Sequence, residues 1–418
     1  MQKFGGSSVA DAASIRRVAE RIARTKRAGH DVVVVVSAMG DTTDELLDVA
    51  HQVVDGEPAP RELDMLLTSG ERISMALLAM AIKALGIDAR SYTGSQAGMI
   101  TDERHGSARI QEVTPRRIQA AIDEGAIAIV AGFQGFNRET GDITTLGRGG
   151  SDTTAVALAA AMKADVCEIY SDVDGVFTAD PRIVPLARKL DRVSADEMVE
   201  LAASGAKVLY IRAVEFARRH GVTIHARSSF SEAEGTIVRN AREGETVEEP
   251  VVTGVATDLS EAKITVVGVP DIPGKAARIF TIVADAQANI DMIVQNVSTT
   301  DTGRTDISFT LPTSDVPKVL AALGERQEEV GFAELLSDED IAKVSVVGAG
   351  MRSSAGVSAT LFTALSDAGI NIEMISTSEI RMSVVTRASL AKAATQAIHT
   401  AFGLDGDSEA VVYAGTGR

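Results

Sequence analysis

From residue 3 to about 228, short runs of β-branched residues alternate with longer amphipathic segments. The runs VVVVV (32–36), AIAIVAGF (126–133), CEIY (167–170) and VTIHA (222–226) are apolar at nearly every position, as expected of strands buried on both faces of a mostly parallel sheet. The segments between them carry helical spacing, with Ile15, Val18 and Ile22 on one stripe and Leu66, Ile73, Leu77 and Met80 on another. Alternation of this kind predicts a layered α/β domain with helices on both faces of the sheet. Around 231–250 the sequence turns polar and acidic (SEAEGTIVRNAREGETVEEP), which predicts a connector between cores. Beyond it lies a weak internal repeat. KITVVG at 263–268 aligns with KVSVVG at 343–348 at a shift of 80 residues, and NIDM at 289–292 with NIEM at 371–374 at a shift of 82. Each copy reads as a compact β-α-β-β unit. The expected division is 1–230, a connector at 231–252, a first unit at 253–337, and a second at 338–418 that includes a C-terminal tail.

Composition narrows the functional classes. The 41 basic and 58 acidic residues leave a net charge of −17, which disfavours phosphodiester backbones and anionic membranes as partners. The absence of Trp and the 4% aromatic content also remove the usual stacking platforms for single-stranded nucleic acid. The single cysteine, Cys167, sits in an expected buried strand. No apolar signal core follows the first residues, and no stretch reaches the 18 or so apolar residues of a membrane span. A cytoplasmic protein is expected. The six histidines form no HExxH pattern, and no metal cluster is expected. The N-x-S triplet at 296–298 has no meaning in the cytoplasm.

Three segments carry candidate chemistry. In KFGGSSVAD (3–11), Gly5, Gly6, Ser7 and Ser8 lead toward a helix, so backbone N–H groups and Lys3 can meet an anion; an ordinary glycine turn with a solvated lysine reads the same way. In TTLGRGGSDTTAVALAAAM (144–162), Gly147, Gly149 and Gly150 hold Arg148 beside a helix expected to be capped by Ser151 or Asp152, a place to clamp a carboxylate. In YSDVDGVFTADPR (170–182), Asp172 and Asp174 end a buried strand, where open α/β sheets bind ligands, although a surface turn has the same composition. GVPDIPGK (268–275) lacks the spacing of a P-loop, and GAGMRSS (348–354) lacks the last glycine of a dinucleotide fingerprint.

With KFGGSS, VVVVVSAMGDTTDEL (32–46), LTSGERIS (67–74), TTLGRGGSD and YSDVDGVFTADPR in this order, the chain resembles the aspartokinases over nearly its whole length. The resemblance implies an amino-acid-kinase fold, a three-layer α/β/α sandwich with a mostly parallel sheet, followed by two ferredoxin-like ACT units. It implies phosphorylation of the aspartate side-chain carboxylate by ATP, with Mg²⁺ carried mainly by the nucleotide, as the first step of lysine, threonine and methionine biosynthesis. Lysine and threonine are the implied inhibitors. A homo-oligomer, or assembly with a separately made ACT-only subunit, is the implied organisation.

Carried over residue by residue, the resemblance assigns Lys3, Asp152 and Lys207 to catalysis. ATP would meet Lys3, Phe4, Gly5, Gly6, Ser7, Ser8, Ser37, Ser171, Asp172, Asp174, Gly175, Val176, Phe177, Asp180, Arg182 and Lys207. Aspartate would meet Asp41, Thr42, Thr43, Glu71, Phe133, Gly135, Arg148, Gly149, Gly150 and Ser151, with Glu71 facing its α-amino group. Effectors would meet Asp271, Pro273, Gly274, Lys275, Ala276, Asn289, Ile290, Asp291 and Gln295 of the first unit, and Val357, Ser358, Asn371, Ile372, Ser378 and Glu379 of the second.

The sequence departs from the family pattern at its start, where MQKFGG replaces a longer apolar lead, so either the first strand is short or the true start lies upstream. An internal start for an ACT-only product would need a valine codon such as that of Val247. Two competing readings are a kinase of glutamate or acetylglutamate and an amino-acid sensor with an inactive kinase half. SGERIS at 69–74 and the double ACT tail oppose the first, and the presence of Lys3, Arg148 and Lys207 opposes the second.

Overall fold

The apolar runs become the middle of an eight-stranded sheet. Its order is Arg192–Ser194, Thr236–Arg239, Ile224–Ser228, Cys167–Ser171, Gln2–Phe4, Val33–Val36, Ile127–Ala131 and Ala89–Tyr92. All pairings are parallel except that of Ile224–Ser228 with Thr236–Arg239. The computed structural model describes residues 1–240, 251–295 and 303–413; Val247 and the triplet at 296–298 lie outside them. The valine run shows why the sheet needs two covers. Val34 and Val36 pack with Ile15, Val18, Leu78 and Ile82 of the helices Ala12–Arg27 and Pro60–Ala84. Val33 and Val35 point the other way, into a core with Val156 and Leu158 of the helix Gly150–Ala161. The result is the expected α/β/α sandwich.

Several expectations change. The Pro60–Ala84 helix forms, but its buried face carries Leu67, Met75, Leu78 and Ile82, while Ile73, Leu77 and Met80 are exposed. The helix is apolar on more than one side, so helical spacing fits two stripes equally well. It is also the one helix among the described residues long and apolar enough to span a membrane, contrary to the expectation that none would be, and half of its most apolar window is buried in the fold. Residues 236–239, assigned to a connector, form a strand of the main sheet with Val238 buried. A second, four-stranded sheet (Ile110–Val113, Met99–Thr101, Gln134–Phe136 and Ile143–Thr145) flanks the N-terminal domain and has no counterpart in the sequence reading.

The two C-terminal units interleave. Strand Gly254–Asp258, expected to open the first unit, instead pairs with Ile341–Val347 in the sheet of the second. The first unit has its own sheet, ordered Ile293–Gln295, Arg304–Pro312, Glu261–Pro270 and Glu334–Asp338. It is therefore inserted between the first strand of the second unit and the rest of it. The repeat explains how the units meet. Lys343 of the second unit is fully buried and bonds Asp291 of the first at 2.6 Å, and Lys263 of the first bonds Glu373 of the second. Each lysine reaches the acidic residue of the other copy's Asn-Ile turn, a reciprocal contact of the kind that self-complementary interfaces make. Glu261 also binds Lys343, so the buried ammonium has two carboxylate partners.

Candidate active site

Strand order places the site before any side chain is considered. Gln2–Phe4 lies between Val33–Val36 and Cys167–Ser171, so the chain leaves the central strand toward opposite sides of the sheet. Ligands bind at the carboxyl ends of strands at such a reversal. That edge collects Gly5–Ser8, Ser37, Phe133 and Asp172. The loops are clasped to each other: Ser37 N–H donates to the Phe4 carbonyl at 3.1 Å, Gly40 N–H to Gly6 at 3.1 Å, and Gly132 N–H to Val36 at 2.9 Å. A Cβ at Gly6 would stand 2.7 Å from the Gly40 carbonyl oxygen, so this approach requires glycine.

Lys3 reaches across that edge to Asp152, with Nζ 2.7 Å from Oδ1 and both side chains largely buried. One comes from the first glycine segment and the other from the second, so the two loops do face each other. Their capping differs from expectation. The helix after the first loop begins at Ala12, and Asp11 caps it by accepting from Ser14 N–H at 2.7 Å; Gly6–Val9 is a separate 3₁₀ turn. The helix after the second loop is preceded by Gly149, at φ 68°, with Ser151 and Asp152 inside its first turn. A side chain at Gly149 would be strained by that angle and would meet the Tyr210 ring at 2.0 Å.

Glu71 lies beside these loops on the Pro60–Ala84 helix. Its Oε1 accepts from Ala38 N–H at 3.2 Å, and Oε2 is buried without a partner. Burial pushes the Glu71 carboxyl up to about 7, against an ordinary 4.5. Ser8 Oγ is likewise buried and without a protein partner, which leaves both atoms able to bond a ligand or a water. Phe133 has φ 69°, a left-handed conformation costing an L-residue on the order of 1–3 kcal/mol and concentrated at functional sites. Its N–H donates to Thr154 Oγ1 at 3.2 Å and its carbonyl accepts from Leu146 at 2.9 Å. Thr42 and Thr43 open the helix Thr42–Val53, with Asp41 just before it. Arg148 is exposed, and Ser151 is buried.

On the other side of the central strand, Asp172 pairs with Arg182 at 2.6 Å. Asp174 accepts from Ser231 and, at 3.1 Å, from Tyr413. Phe4 and Val176 are core side chains; Phe4 stacks on Tyr170 at 4.7 Å. Only their backbones are available to a ligand. Lys207 is exposed in the turn between the helices Ala195–Ala203 and Ile211–His220 and makes no ion pair among the described residues. The thiol of Cys167 is fully buried and pushed up to about 12 by that burial, so it has no nucleophilic part here.

One residue of this region was missed. Asp64, buried near the start of the Pro60–Ala84 helix, accepts from Thr145 Oγ1 at 2.6 Å and Gly106 N–H at 3.0 Å, and lies 2.7 Å from His105 Nδ1. It thereby pins the second sheet beside the Gly147–Gly150 loop. An acidic residue on the core face of an apolar helix is the signal that marked it.

In the C-terminal units, Gly274 and Gly356 both stand at φ 96° immediately before the helices Lys275–Asp285 and Val357–Asp367. The candidate effector residues thus occupy matching places. They do not all converge. Asp291 is committed to Lys343, and Glu379 pairs with Arg352. Ser378 and Glu379 instead line a cavity of about 890 Å³ between the second unit and the helix Ala195–Ala203 of the N-terminal domain.

Residues 2–228 match the amino acid kinase family, and residues 264–327 and 344–402 match the ACT domain. The aspartokinase of Mycolicibacterium smegmatis is 62% identical over all of this chain and 99% of its own. Among solved structures, Escherichia coli aspartokinase III in complex with aspartate and ADP (R-state) superposes with a TM-score of 0.82 at 25% identity, over 96% of this chain and 98% of that one. The T-state of the same enzyme, with lysine and aspartate, gives 0.70 over the same shares at 25% identity.

Proposed function

Because the chain belongs to the aspartokinase family, with an amino-acid kinase domain followed by ACT units, we propose a specific division of labour for its transfer of phosphate from ATP to the side-chain carboxylate of L-aspartate. The observation that carries it is the Lys3–Asp152 pair at the sheet reversal. A free aspartate side chain has a pKa near 3.9, so the nucleophile is already ionised at neutral pH and needs no general base. The obstacle is charge repulsion between the carboxylate and the γ-phosphoryl group. Alignment and positive charge on the transferring group remove it.

On this reading Lys3 supplies that charge, Asp152 holds its ammonium in place without taking a proton, and Lys207 closes in from its exposed turn. The N–H groups of Gly6 and Ser7 receive the phosphates, those of Gly5 and Ser8 being donated to the carbonyls of Tyr170 and Gly5, and Asp172, Asp174, Asp180 and Arg182 shape the adenosine side. The unpartnered Glu71 oxygen takes the α-ammonium of aspartate, and Arg148 with Ser151 clamps a carboxylate. Asp172 and Asp174 are already engaged by Arg182, Ser231 and Tyr413, and no group of three or more His, Cys, Asp or Glu among the described residues suits a metal. On this reading Mg²⁺ enters on the ATP phosphates, as it does where one or two carboxylates at most assist. The enzyme is expected in the cytoplasm.

The ACT units make the enzyme allosteric. Lysine and threonine, bound together, are the inhibitors we assign, in an oligomer of this chain or with an ACT-only subunit. An effector shifts the enzyme only by its differential affinity for two arrangements, and aspartokinase III has an R-state with aspartate and ADP and a T-state with lysine. Initial rates of ADP release should fall when both amino acids are present and change less with either alone. Rates unaffected by the pair would remove this regulatory assignment and leave the kinase in place.

A further inference from the structure

Residues 405–413 leave the second ACT unit and run back over the kinase domain. Gly406 N–H donates to Leu186 at 2.7 Å, Ala410 N–H to Pro185 at 2.8 Å and Tyr413 N–H to the carbonyl of Asp172 at 3.0 Å. Antiparallel bridges join Asp405 to Ala187 and Val412 to Val173. The tail is fixed at its base by a fully buried histidine of the helix Ala391–Ala401. His399 Nε2 lies 2.8 Å from Thr178 Oγ1 and Nδ1 lies 2.9 Å from Asp405 Oδ1.

At its far end the tail meets the loop assigned above to the nucleotide. Tyr413 Oη donates to Asp174 Oδ2 at 3.1 Å, and its ring lies parallel to that of Phe230, with centroids 6.1 Å apart. Arg17 sits over the Phe230 ring at 4.5 Å. One residue therefore holds the backbone of Asp172 and the carboxylate of Asp174 together. The residue remains 39% exposed, so filling the core does not account for its position. The ties of this segment go to the loop that follows the Cys167–Ser171 strand.

We propose that Tyr413 is a positioning residue for phosphoryl transfer: from the regulatory half of the chain it holds Asp172 and Asp174 in the arrangement that receives the nucleotide. The proposal rests on the assignment of the 172–182 loop to ATP. It gives the second ACT unit a direct hydrogen-bonded connection to the nucleotide side, separate from any effector site.

The test uses the full-length enzyme with Tyr413→Phe, Tyr413→Ala and, as a reference for the loop itself, Arg182→Ala. Loss of one hydrogen bond to a carboxylate should raise the KM for ATP about fivefold in Tyr413→Phe, and loss of the ring as well should raise it about tenfold or more in Tyr413→Ala. The KM for aspartate and the kcat at saturating ATP should stay within about twofold, a split that general destabilisation does not produce. If Tyr413→Ala leaves the ATP KM unchanged while Arg182→Ala raises it, the tail proposal is overturned and the nucleotide assignment stands. If neither variant raises it, both are overturned. Equal increases in both KM values with a lowered melting temperature would also overturn the positioning role.

Discussion

Replacing Lys3 with methionine is expected to lower kcat by about a thousandfold while changing the KM for aspartate only a few fold, the pattern of a group whose interaction strengthens as charge develops on the transferring phosphoryl. Methionine keeps the apolar stem and removes the ammonium. The substitution also leaves Asp152 without its partner in a largely buried position, so lost stability must be separated from lost chemistry. The double variant Lys3→Met/Asp152→Asn does this, because it removes both charges. It should recover the melting temperature and not kcat. A kcat within about tenfold of the parent in either variant would take Lys3 out of the transition state.

The second large effect concerns Glu71. Glu71→Gln keeps the shape and the contact with Ala38 N–H but removes the charge that faces the α-ammonium, and should raise the KM for aspartate about a hundredfold. The pH dependence gives a sharper signature. Burial raises this carboxyl to about 7, so the free enzyme is mostly protonated below that value, whereas the bound ammonium favours the ionised form. Aspartate binding should therefore release a proton below neutrality. The KM should fall as pH rises, by close to tenfold per unit well below the folded pKa, and level off above it. Glu71→Gln should flatten the profile. A parent KM that is constant between about pH 6 and pH 8 would separate Glu71 from the ammonium.

What the sequence disclosed, and what it concealed, follows from how local each feature is. The sheet was legible because VVVVV and AIAIVAGF are apolar at successive positions, which only a strand covered on both faces requires. The facing glycine loops were legible because Lys3, Gly5, Gly149 and Asp152 each lie within a few residues of a strand end or helix start. Caps were not, since Gly149 took the place that Ser151 or Asp152 fits equally well by composition, and the first helix starts after Asp11 rather than at the glycine turn. The buried face of the Pro60–Ala84 helix was misread because Leu78 and Ile82 lie on one helical stripe and Ile73, Leu77 and Met80 on another. Asp64 escaped because its partners stand 41 and 81 residues away. The same distance problem hid the insertion of the first ACT unit. GVATD at 254–258 forms a strand in either sheet, and only its pairing with Ile341–Val347 decides which. The reciprocal lysine contacts lay inside the repeat, in the lysine that opens each copy's aligned KxxVVG run and the acidic residue of its Asn-Ile turn, but nothing in the repeat says that each reaches the other copy.

The most direct test of the central claim is to trap the product with hydroxylamine in the presence of ATP and Mg²⁺, comparing aspartate with glutamate and N-acetylglutamate as acceptors. The account predicts a hydroxamate from aspartate in step with ADP release, and little or none from the two longer acids. A hydroxamate formed as fast from glutamate or N-acetylglutamate, or ADP released with no hydroxamate from aspartate, would contradict it.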